Sequence, residues 1–296
     1  MQIRFLTCDV FTETQFGGNQ LAVVPDGSGL TGAQMQAIAR EFNYSETTFV
    51  LPPKDPANTA HVRIFTPMAE LPFAGHPNVG TAVILAQLGL TGDAETITFE
   101  EGAGLVPIDL IRTPDGTVTG ATLTAPVVPV IGPTVPTAPV VAAVGLAAGD
   151  VKTDRHGPVV VSAGVEFLFT ELTDPAALAR SRPGARGPDL EGLNMTGTFF
   201  YTASKDDGVD IRARMFAPEH NIPEDPATGS AAAALAGLLG SFETEDGAFT
   251  WIIDQGVEMG RPSRLTAKAF RENGRVVKVT VGGTAVPVAE GTLTLR

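Results

Sequence analysis

Cysteine is almost absent from this chain: Cys8 is the only one among 296 residues. A single cysteine excludes an intramolecular disulfide and any metal site built on several thiolates. Cys8 lies in the run Gln2–Val10, which is rich in β-branched and aromatic residues and predicts a strand. We therefore predict a small buried residue at this position. The alternative, a reactive thiol, needs an exposed and electropositive environment.

Basic residues are also scarce: 20 Lys and Arg stand against 33 Asp and Glu, which gives a net charge of −13. Binding to nucleic acid or to an anionic membrane needs clustered Lys and Arg, so neither partner is predicted. The negative surface leaves a small anionic substrate possible, because backbone N–H groups bind an anion locally even in an acidic protein.

Long hydrophobic runs are missing as well. No stretch approaches 18 consecutive apolar residues, and the first ten residues lack the apolar core of a secretion signal. The sequence therefore predicts a cytoplasmic protein that acts away from membranes.

Several sequence motifs of well-known enzyme classes do not occur. The chain has no G-x-G-x-x-G, G-x-x-x-x-G-K-(S/T), H-E-x-x-H or G-x-S-x-G. Its four histidines show no metal-ligand spacing: His61, His76, His156 and His220. These absences disfavour nucleotide cofactors, zinc hydrolysis and serine-hydrolase chemistry.

The hydrophobic fraction of 43% is enough for a sizeable core, and the length suits one large domain or two of about 150 residues each. Composition changes in the Pro- and Val-rich stretch 125–141. We place a domain boundary there, which gives half-domains 1–125 and 126–296, with the last strands packing across the boundary. The alternative is a surface loop with edge-strand character inside one domain.

Hydrophobic periodicity predicts a helix over Thr31–Phe42, where Thr31 and Gln34 match a capping box. Two further helices, after Pro77 and after Gly229, are apolar nearly all round and are therefore predicted to be buried. The C-terminal stretch has two alternating runs around Gly282-Gly283, which predicts a hairpin. Other strands are predicted over 21–24, 61–65, 96–100, 105–111, 118–123, 158–161, 167–172, 197–202 and 209–216.

One motif occurs twice. F-T-P-M-A-E-L-P-F-A-G-H-P-N-V-G-T-A begins at Phe65, and F-A-P-E-H-N-I-P-E-D-P-A-T-G-S-A begins at Phe216. Both copies contain Pro-x-x-Gly-(Ser/Thr)-Ala before an apolar helix, which suggests two similar halves that face one cleft. Gly80-Thr81 and Gly229-Ser230 are predicted at helix N-termini, where unpaired N–H groups bind a carboxylate or phosphate. Ordinary helix capping is the alternative.

The residue before the proline differs between the copies: it is His76 in the first and Asp225 in the second. These two side chains can hold a substrate or transfer a proton. The alternative is that they are helix caps or buried polar residues whose hydrogen bonds are made within the core.

Glu46 lies between a loop and an apolar strand, where a carboxylate with a raised pKa would serve as a general acid/base; the alternative is a surface glutamate. A fourth motif, Gln255–Ser263, predicts either a turn that brings Arg261 or the backbone near a ligand or a tight hairpin with an exposed arginine.

Five ordered motifs together resemble the phenazine biosynthesis PhzF-like family: F-G-G-N-Q-L-A-V-V, S-E-T-T-F-V, F-A-G-H-P-N-V-G-T-A, E-D-P-A-T-G-S-A and Q-G-x-x-M-G-R-P-S. The resemblance covers nearly the whole chain. It implies an α+β fold of the diaminopimelate epimerase-like type: two pseudo-symmetric halves, each a curved mixed β-sheet wrapped around a central apolar helix. Epimerases of this fold use two cysteines as acid and base, and a chain with Cys8 alone cannot do so.

The resemblance also implies roles for individual residues. Glu46 would be the principal acid/base of an isomerisation without cofactor or metal, and His76 and Asp225 would hold the substrate's polar groups and assist. The substrate-binding positions would be Asn19, Gly75, Gly80, Thr81, Gly229 and Ser230. We expect a cofactor-independent isomerase whose substrate is a small carboxylic acid, either cyclic or carrying an amino or hydroxy group. A homodimer is a possible assembly. The alternatives are a hydrolase or lyase on the same scaffold, or a non-catalytic protein that binds small metabolites.

Overall fold

The computed structural model describes residues 1–185, 187, 190, 192–193 and 195–295. They form two compact units: the first contains residues 1–126 and the segment from Gly282 onward, and the second contains residues 127–281. Each unit is a mixed β-sheet with few helices. Among the described residues, no helix is long and apolar enough to cross a membrane.

The first unit contains eight strands that end before residue 126 and two helices. In chain order these are β1 Gln2–Val10, β2 Asn19–Val24, α1 Gly32–Phe42, β3 Glu46–Leu51, β4 Ala60–Phe65, β5 Glu70–Leu71, α2 Gly75–Gln87, β6 Thr96–Glu101, β7 Gly104–Arg112 and β8 Val118–Thr124. Strand β2 pairs with β1 antiparallel and with β3 parallel. Strand β4 pairs with β3 antiparallel and with β6 parallel.

The second unit begins in the Pro-rich stretch with a strand and a short helix. In chain order it contains β9 Val130–Thr134, α3 Thr137–Ala142, β10 Val159–Ser162, β11 Glu166–Glu171, α4 Pro175–Arg180, β12 Gly197–Ala203, β13 Ile211–Ala217, β14 Ile222–Asp225, α5 Gly229–Ser241, β15 Gly247–Gln255 and β16 Ser263–Glu272. The parallel pairs are β11–β12 and β13–β15. The last strand, β17 Arg275–Thr294, begins in this unit and continues into the first.

Local sequence signals account for β1 and α1. Strand β1 spans Gln2–Val10, as predicted, and Cys8 within it is buried. Thr31 caps α1: its hydroxyl accepts a hydrogen bond from the Gln34 N–H, and the Gln34 side chain accepts from the Thr31 N–H at 2.9 Å. The predicted capping box is therefore confirmed, as is the buried position of Cys8.

The predicted C-terminal hairpin is wrong, because Gly282 and Gly283 lie inside the continuous strand β17. These glycines allow close approach to β8. A Cβ atom at Gly282 would meet the Thr122 hydroxyl and lie 2.7 Å from the Ala121 carbonyl oxygen, and one at Gly120 would lie 2.5 Å from the Gly283 carbonyl oxygen. Glycine in a strand interior thus marks a close backbone contact here rather than a turn.

This contact gives a first prediction. Gly282→Ala is expected to lower the free energy of unfolding by about 1–3 kcal/mol, because the added methyl group does not fit into the close contact between β8 and β17. Gly149→Ala is the matched control: its Cβ atom would meet nothing within 4 Å, so we expect a change within about 0.5 kcal/mol. Urea denaturation measures both values, and equal costs would contradict the close-contact explanation.

Candidate active site

Glu46 and Asn19 lie at the same edge of the first unit's sheet. Asn19 is the first residue of β2 and Glu46 the first residue of β3, and the parallel register pairs Leu21 with Glu46. The Glu46 side chain is 13% exposed. The alternative of a surface glutamate is therefore wrong, since this carboxyl group is largely enclosed at the edge of the sheet.

His76 meets Glu46 at this edge. His76 is the second residue of α2, and its Nδ1 atom lies 3.3 Å from Glu46 Oε2 and 3.3 Å from Asn19 Nδ2. Asn19 is in turn oriented by Ser45, whose hydroxyl donates to Asn19 Oδ1 at 3.3 Å. We call these four residues, Asn19, Ser45, Glu46 and His76, the Glu46 cluster. Asn19, Glu46 and His76 were predicted as site residues, whereas Ser45 was not.

Burial determines the charge of the His76 imidazole. Loss of solvation lowers the pKa of His76 to about 3, against a smaller opposing effect from the backbone of Gln20. The ring is therefore neutral at neutral pH, and its contact with Glu46 is not an ion pair. His76 therefore lies beside the Glu46 carboxyl group as a neutral ring.

The start of α2 differs from the prediction. The helix begins at Gly75, so Gly80-Thr81 lie in its second turn and the placement at the N-terminus is wrong. The reason is Pro77, which fits the first turn of a helix, where its missing N–H costs nothing. The N-cap, Ala74, provides no side-chain cap, so the N–H groups of Gly75 and His76 point out of the helix start.

Gly80 and Thr81 make close packing contacts inside the first unit. A Cβ atom at Gly80 would lie 2.6 Å from Leu21 Cδ2, 2.7 Å from Val10 Cγ2 and 3.0 Å from Cys8 Sγ, so glycine lets α2 pack closely on β1 and β2. The Thr81 hydroxyl is buried against the Thr48 hydroxyl at 2.8 Å. Their predicted position at the helix start is therefore wrong, and their role in substrate binding stays a prediction. Burial also raises the pKa of the Cys8 thiol, which keeps it protonated.

In the second unit, Asp225 is the last residue of β14 and is buried. Its Oδ2 atom accepts a hydrogen bond from the Thr228 hydroxyl at 2.6 Å. Gly229 and Ser230 are the first two residues of α5, as predicted. His76 lies inside the first turn of its helix, whereas Asp225 precedes its helix by a loop. The two residues hold matching positions in the repeated motif but are not structurally equivalent.

The loop Asp225–Thr228 is held by Gln255, which was not predicted as a site residue. Gln255 Nε2 donates to the Asp225 carbonyl at 2.8 Å and to the Thr228 hydroxyl at 3.0 Å, while its Oε1 accepts from the Thr228 N–H at 3.1 Å. Gly256 follows with φ of +73°, and a Cβ atom there would lie 2.6 Å from the Pro226 carbonyl oxygen. The Gln-Gly step of the fourth motif therefore supports this loop. The motif itself was the only sequence signal for it.

Metal-binding groups are not apparent in the part of the chain that the structure describes: no three or more His, Cys, Asp and Glu side chains there are placed to hold an ion. The described residues offer an enclosed carboxyl group at Glu46 and helix starts without side-chain caps at α2 and α5.

Comparisons with known proteins agree on one family. The family model described as phenazine biosynthesis-like protein matches residues 8–291. An uncharacterized isomerase of Mesorhizobium japonicum is 39% identical and covers 99% of both chains. Trans-2,3-dihydro-3-hydroxyanthranilate isomerase of Pseudomonas aeruginosa is 38% identical over 97% of this chain and 98% of its own.

Solved structures are similar to this chain as well. The structure described as a predicted epimerase from Pseudomonas aeruginosa is 31% identical, with a TM-score of 0.82 over 99% of this chain and 100% of that chain. The one described as a probable proline racemase from Agrobacterium radiobacter is 16% identical, with a TM-score of 0.67 over 99% of this chain and 93% of that chain, which shows similarity of fold.

Proposed function

This chain belongs to the phenazine biosynthesis-like protein family and is an enzyme of the isomerase class, and we propose that it moves a proton between carbon atoms of a small carboxylic acid. Glu46 is the general acid/base, and no metal or organic cofactor takes part. The single observation that carries this proposal is the 3.3 Å contact between Glu46 Oε2 and His76 Nδ1 at the enclosed edge of the sheet.

The chemistry needs one acid/base group and no redox partner. Glu46 takes a proton from a carbon atom, which breaks the C–H bond and leaves the electron pair delocalised in the substrate. It then returns a proton to another carbon atom, so the product has the mass of the substrate. An enclosed carboxylate is a stronger base than a solvated one, and nearby N–H dipoles stabilise the negative charge that develops.

The other residues of the first unit have supporting roles in this proposal. His76 and Asn19 hold Glu46 and contact polar groups of the substrate. The N–H of Gly75, at the uncapped start of α2, binds a carboxylate, because the helix dipole and the open N–H groups favour an anion there.

For the second unit, we retain the roles predicted from the sequence. Asp225 binds a polar group, and the N–H groups of Gly229 and Ser230 bind an anion. Two observations support these roles: Asp225 is buried and held by Thr228, and α5 starts without a side-chain cap.

We also propose that each unit is a curved sheet wrapped around its apolar helix. Helix α2 is buried from Gly75 to Leu85 and contacts β1, β2, β3, β7 and β8. Helix α5 is buried from Gly229 to Gly240 and contacts β9, β10, β11, β15 and β16. Burial on all sides, with strands of several orientations around each helix, supports this description.

A substrate screen in deuterium oxide tests the proposed reaction. The probes are trans-2,3-dihydro-3-hydroxyanthranilate, the compound in the name of the Pseudomonas aeruginosa relative, and a panel of small unsaturated hydroxy and amino acids. We expect a product of unchanged mass in ordinary water and incorporation of solvent deuterium at one carbon atom, read by mass spectrometry and NMR. A product that has lost or gained water would instead indicate a lyase or hydrolase.

A further inference from the structure

The hydrogen bonds of the Glu46 cluster define which nitrogen of the His76 ring carries the proton. The Ser45 hydroxyl donates to Asn19 Oδ1 at 3.3 Å, so the amide nitrogen of Asn19 is turned toward His76, where Nδ2 lies 3.3 Å from Nδ1. An amide nitrogen has donors only. In this hydrogen bond Nδ1 therefore accepts with its lone pair and carries no proton. Asn19 and His76 are both buried, so solvent does not compete for the contact.

The other ring nitrogen, Nε2, then carries the single proton of the neutral ring. Nε2 is buried and, within the part of the chain that the structure describes, has no hydrogen-bond partner. The Gln20 backbone lies near the ring and acts weakly on its pKa, but it does not reach hydrogen-bond geometry with Nε2. Buried N–H groups are nearly always paired, and the exceptions mark functional positions. The Nε2–H group thus needs an acceptor.

We infer that Ser45 and Asn19 hold His76 as the tautomer with its proton on Nε2, and that this N–H binds an oxygen atom of the substrate. The second part of this inference rests on the proposed function and deepens it. Ser45 is a positioning residue, because it acts on the ring through Asn19. Glu46 remains the group that exchanges a proton with the substrate, and the ring proton lies on the nitrogen that does not face it.

A neutral N–H donor selects the chemistry of the group that it binds. A hydroxyl, carbonyl or carboxylate oxygen accepts from Nε2–H at about 2.9 Å, whereas an ammonium group has donors only and is repelled. Both ring nitrogens of His76 flank one carbon atom, and Nδ1 lies 3.3 Å from Glu46 Oε2. The oxygen bound by Nε2 therefore lies close to the carbon atom that Glu46 deprotonates. The substrate class is a carboxylic acid with an oxygen substituent, and no protonated amine, beside the reacting C–H bond.

The first test reads the tautomer directly and needs no turnover. Nitrogen NMR near neutral pH distinguishes a protonated from an unprotonated ring nitrogen, and the His76 signals are those missing from His76→Gln. The wild type should show a protonated Nε2 and an unprotonated Nδ1. Asn19→Asp keeps the shape of the side chain, but its carboxylate only accepts, so the proton should move to Nδ1. A protonated Nδ1 in the wild type would overturn the inference.

Variants of Ser45 test the positioning role in the same spectrum. Ser45→Ala removes the hydroxyl that orients the Asn19 amide, so both amide orientations and both ring tautomers should appear. Ser45→Thr keeps the hydroxyl and should restore the wild-type signals. Ser28→Ala is the control, since Ser28 is exposed and follows the other end of β2. A wild-type spectrum in Ser45→Ala would exclude Ser45 as the residue that fixes the ring.

Paired ligands test the substrate class, again without turnover. The probes are small carboxylic acids in pairs that differ only in carrying a hydroxyl or an ammonium group at the same carbon atom. The hydroxy acid of a pair should shift the His76 Nε2 resonance and the ammonium acid should not. A shift caused by the ammonium acids alone, or by no acid in the panel, would overturn the assignment of Nε2–H to the substrate.

Kinetics on the substrate found in the deuterium screen complete the test. Ser45→Ala should lower kcat/KM about tenfold, the effect expected from one lost hydrogen bond, and Ser45→Thr should recover most of it. Unchanged kcat/KM in Ser45→Ala would contradict a role of the tautomer in the reaction. The two proposals fail separately: a His76 ring with the expected tautomer and ligand shift, in a protein that isomerises no acid, would overturn the proposed function alone.

Discussion

Glu46→Gln is expected to abolish turnover and to leave the protein folded. Glutamine has the same shape as glutamate and can still contact His76 Nδ1, which lies 3.3 Å from Glu46 Oε2. It cannot accept a proton from carbon, and a positioned general acid/base contributes about 10²–10⁴ in rate. We therefore expect kcat to fall by at least that factor, measured on the substrate found in the deuterium screen.

Two further variants make this result specific. Glu41→Gln carries the same change on the exposed surface at the end of α1 and should retain full activity. Glu46→Asp keeps a carboxylate but shortens the side chain by one methylene, so it should retain part of the activity. Circular dichroism and melting temperature check the fold of all three. Full activity in Glu46→Gln would show that another group transfers the proton.

Arg214→Met is expected to lower the free energy of unfolding by about 3–5 kcal/mol, because it removes one partner of a buried ion pair. The Arg214 side chain is 4% exposed and binds both Glu224 oxygens at 2.7 Å. It also donates to the Ser181 carbonyl at 2.7 Å. Without it, the Glu224 carboxylate stays buried and uncompensated. Glu224 directly precedes Asp225 in β14, so the ion pair also anchors the strand that carries this predicted site residue.

Arg264→Met is the matched control in the same unit. Arg264 also binds a carboxylate with two nitrogens, at 2.8 and 2.9 Å from Asp254, but its side chain is 59% exposed. Exposed ion pairs contribute about 0–1 kcal/mol, so this variant should change stability little. The double variant Arg214→Met with Glu224→Leu should recover much of the loss, because no charge is then left buried. Equal costs for Arg214→Met and Arg264→Met would contradict this account.

The sequence predicts those features that depend on neighbouring residues. A high content of β-branched and aromatic residues locates β1, and the Thr31–Gln34 pair locates the start of α1. Motif resemblance names Glu46, His76 and Asn19, which the structure places in contact through His76. Residue spacing alone leaves Glu46 as a surface residue, because no local pattern reports that β2 and β3 pair in parallel at its position.

Errors arise where distant segments meet. A Gly-Gly pair has the same local signal in a turn and at a close strand contact, and only the position of Thr122 and Ala121 distinguishes the two for Gly282. Gly80 was placed at a helix start for the same reason, although its contacts with Leu21 and Val10 require glycine there. Gln255 acts through a residue 27 positions away, Thr228. No periodicity in a single sequence encodes such pairs.

The most direct measurement of the central claim is the exchange of a carbon-bound hydrogen of the substrate with deuterium oxide, in the wild type and in Glu46→Gln at equal protein concentration. NMR follows the exchanging C–H signal and the product together. The account predicts that the wild type exchanges and isomerises, and that Glu46→Gln loses both activities while still folded. Exchange at the wild-type rate in Glu46→Gln would contradict it.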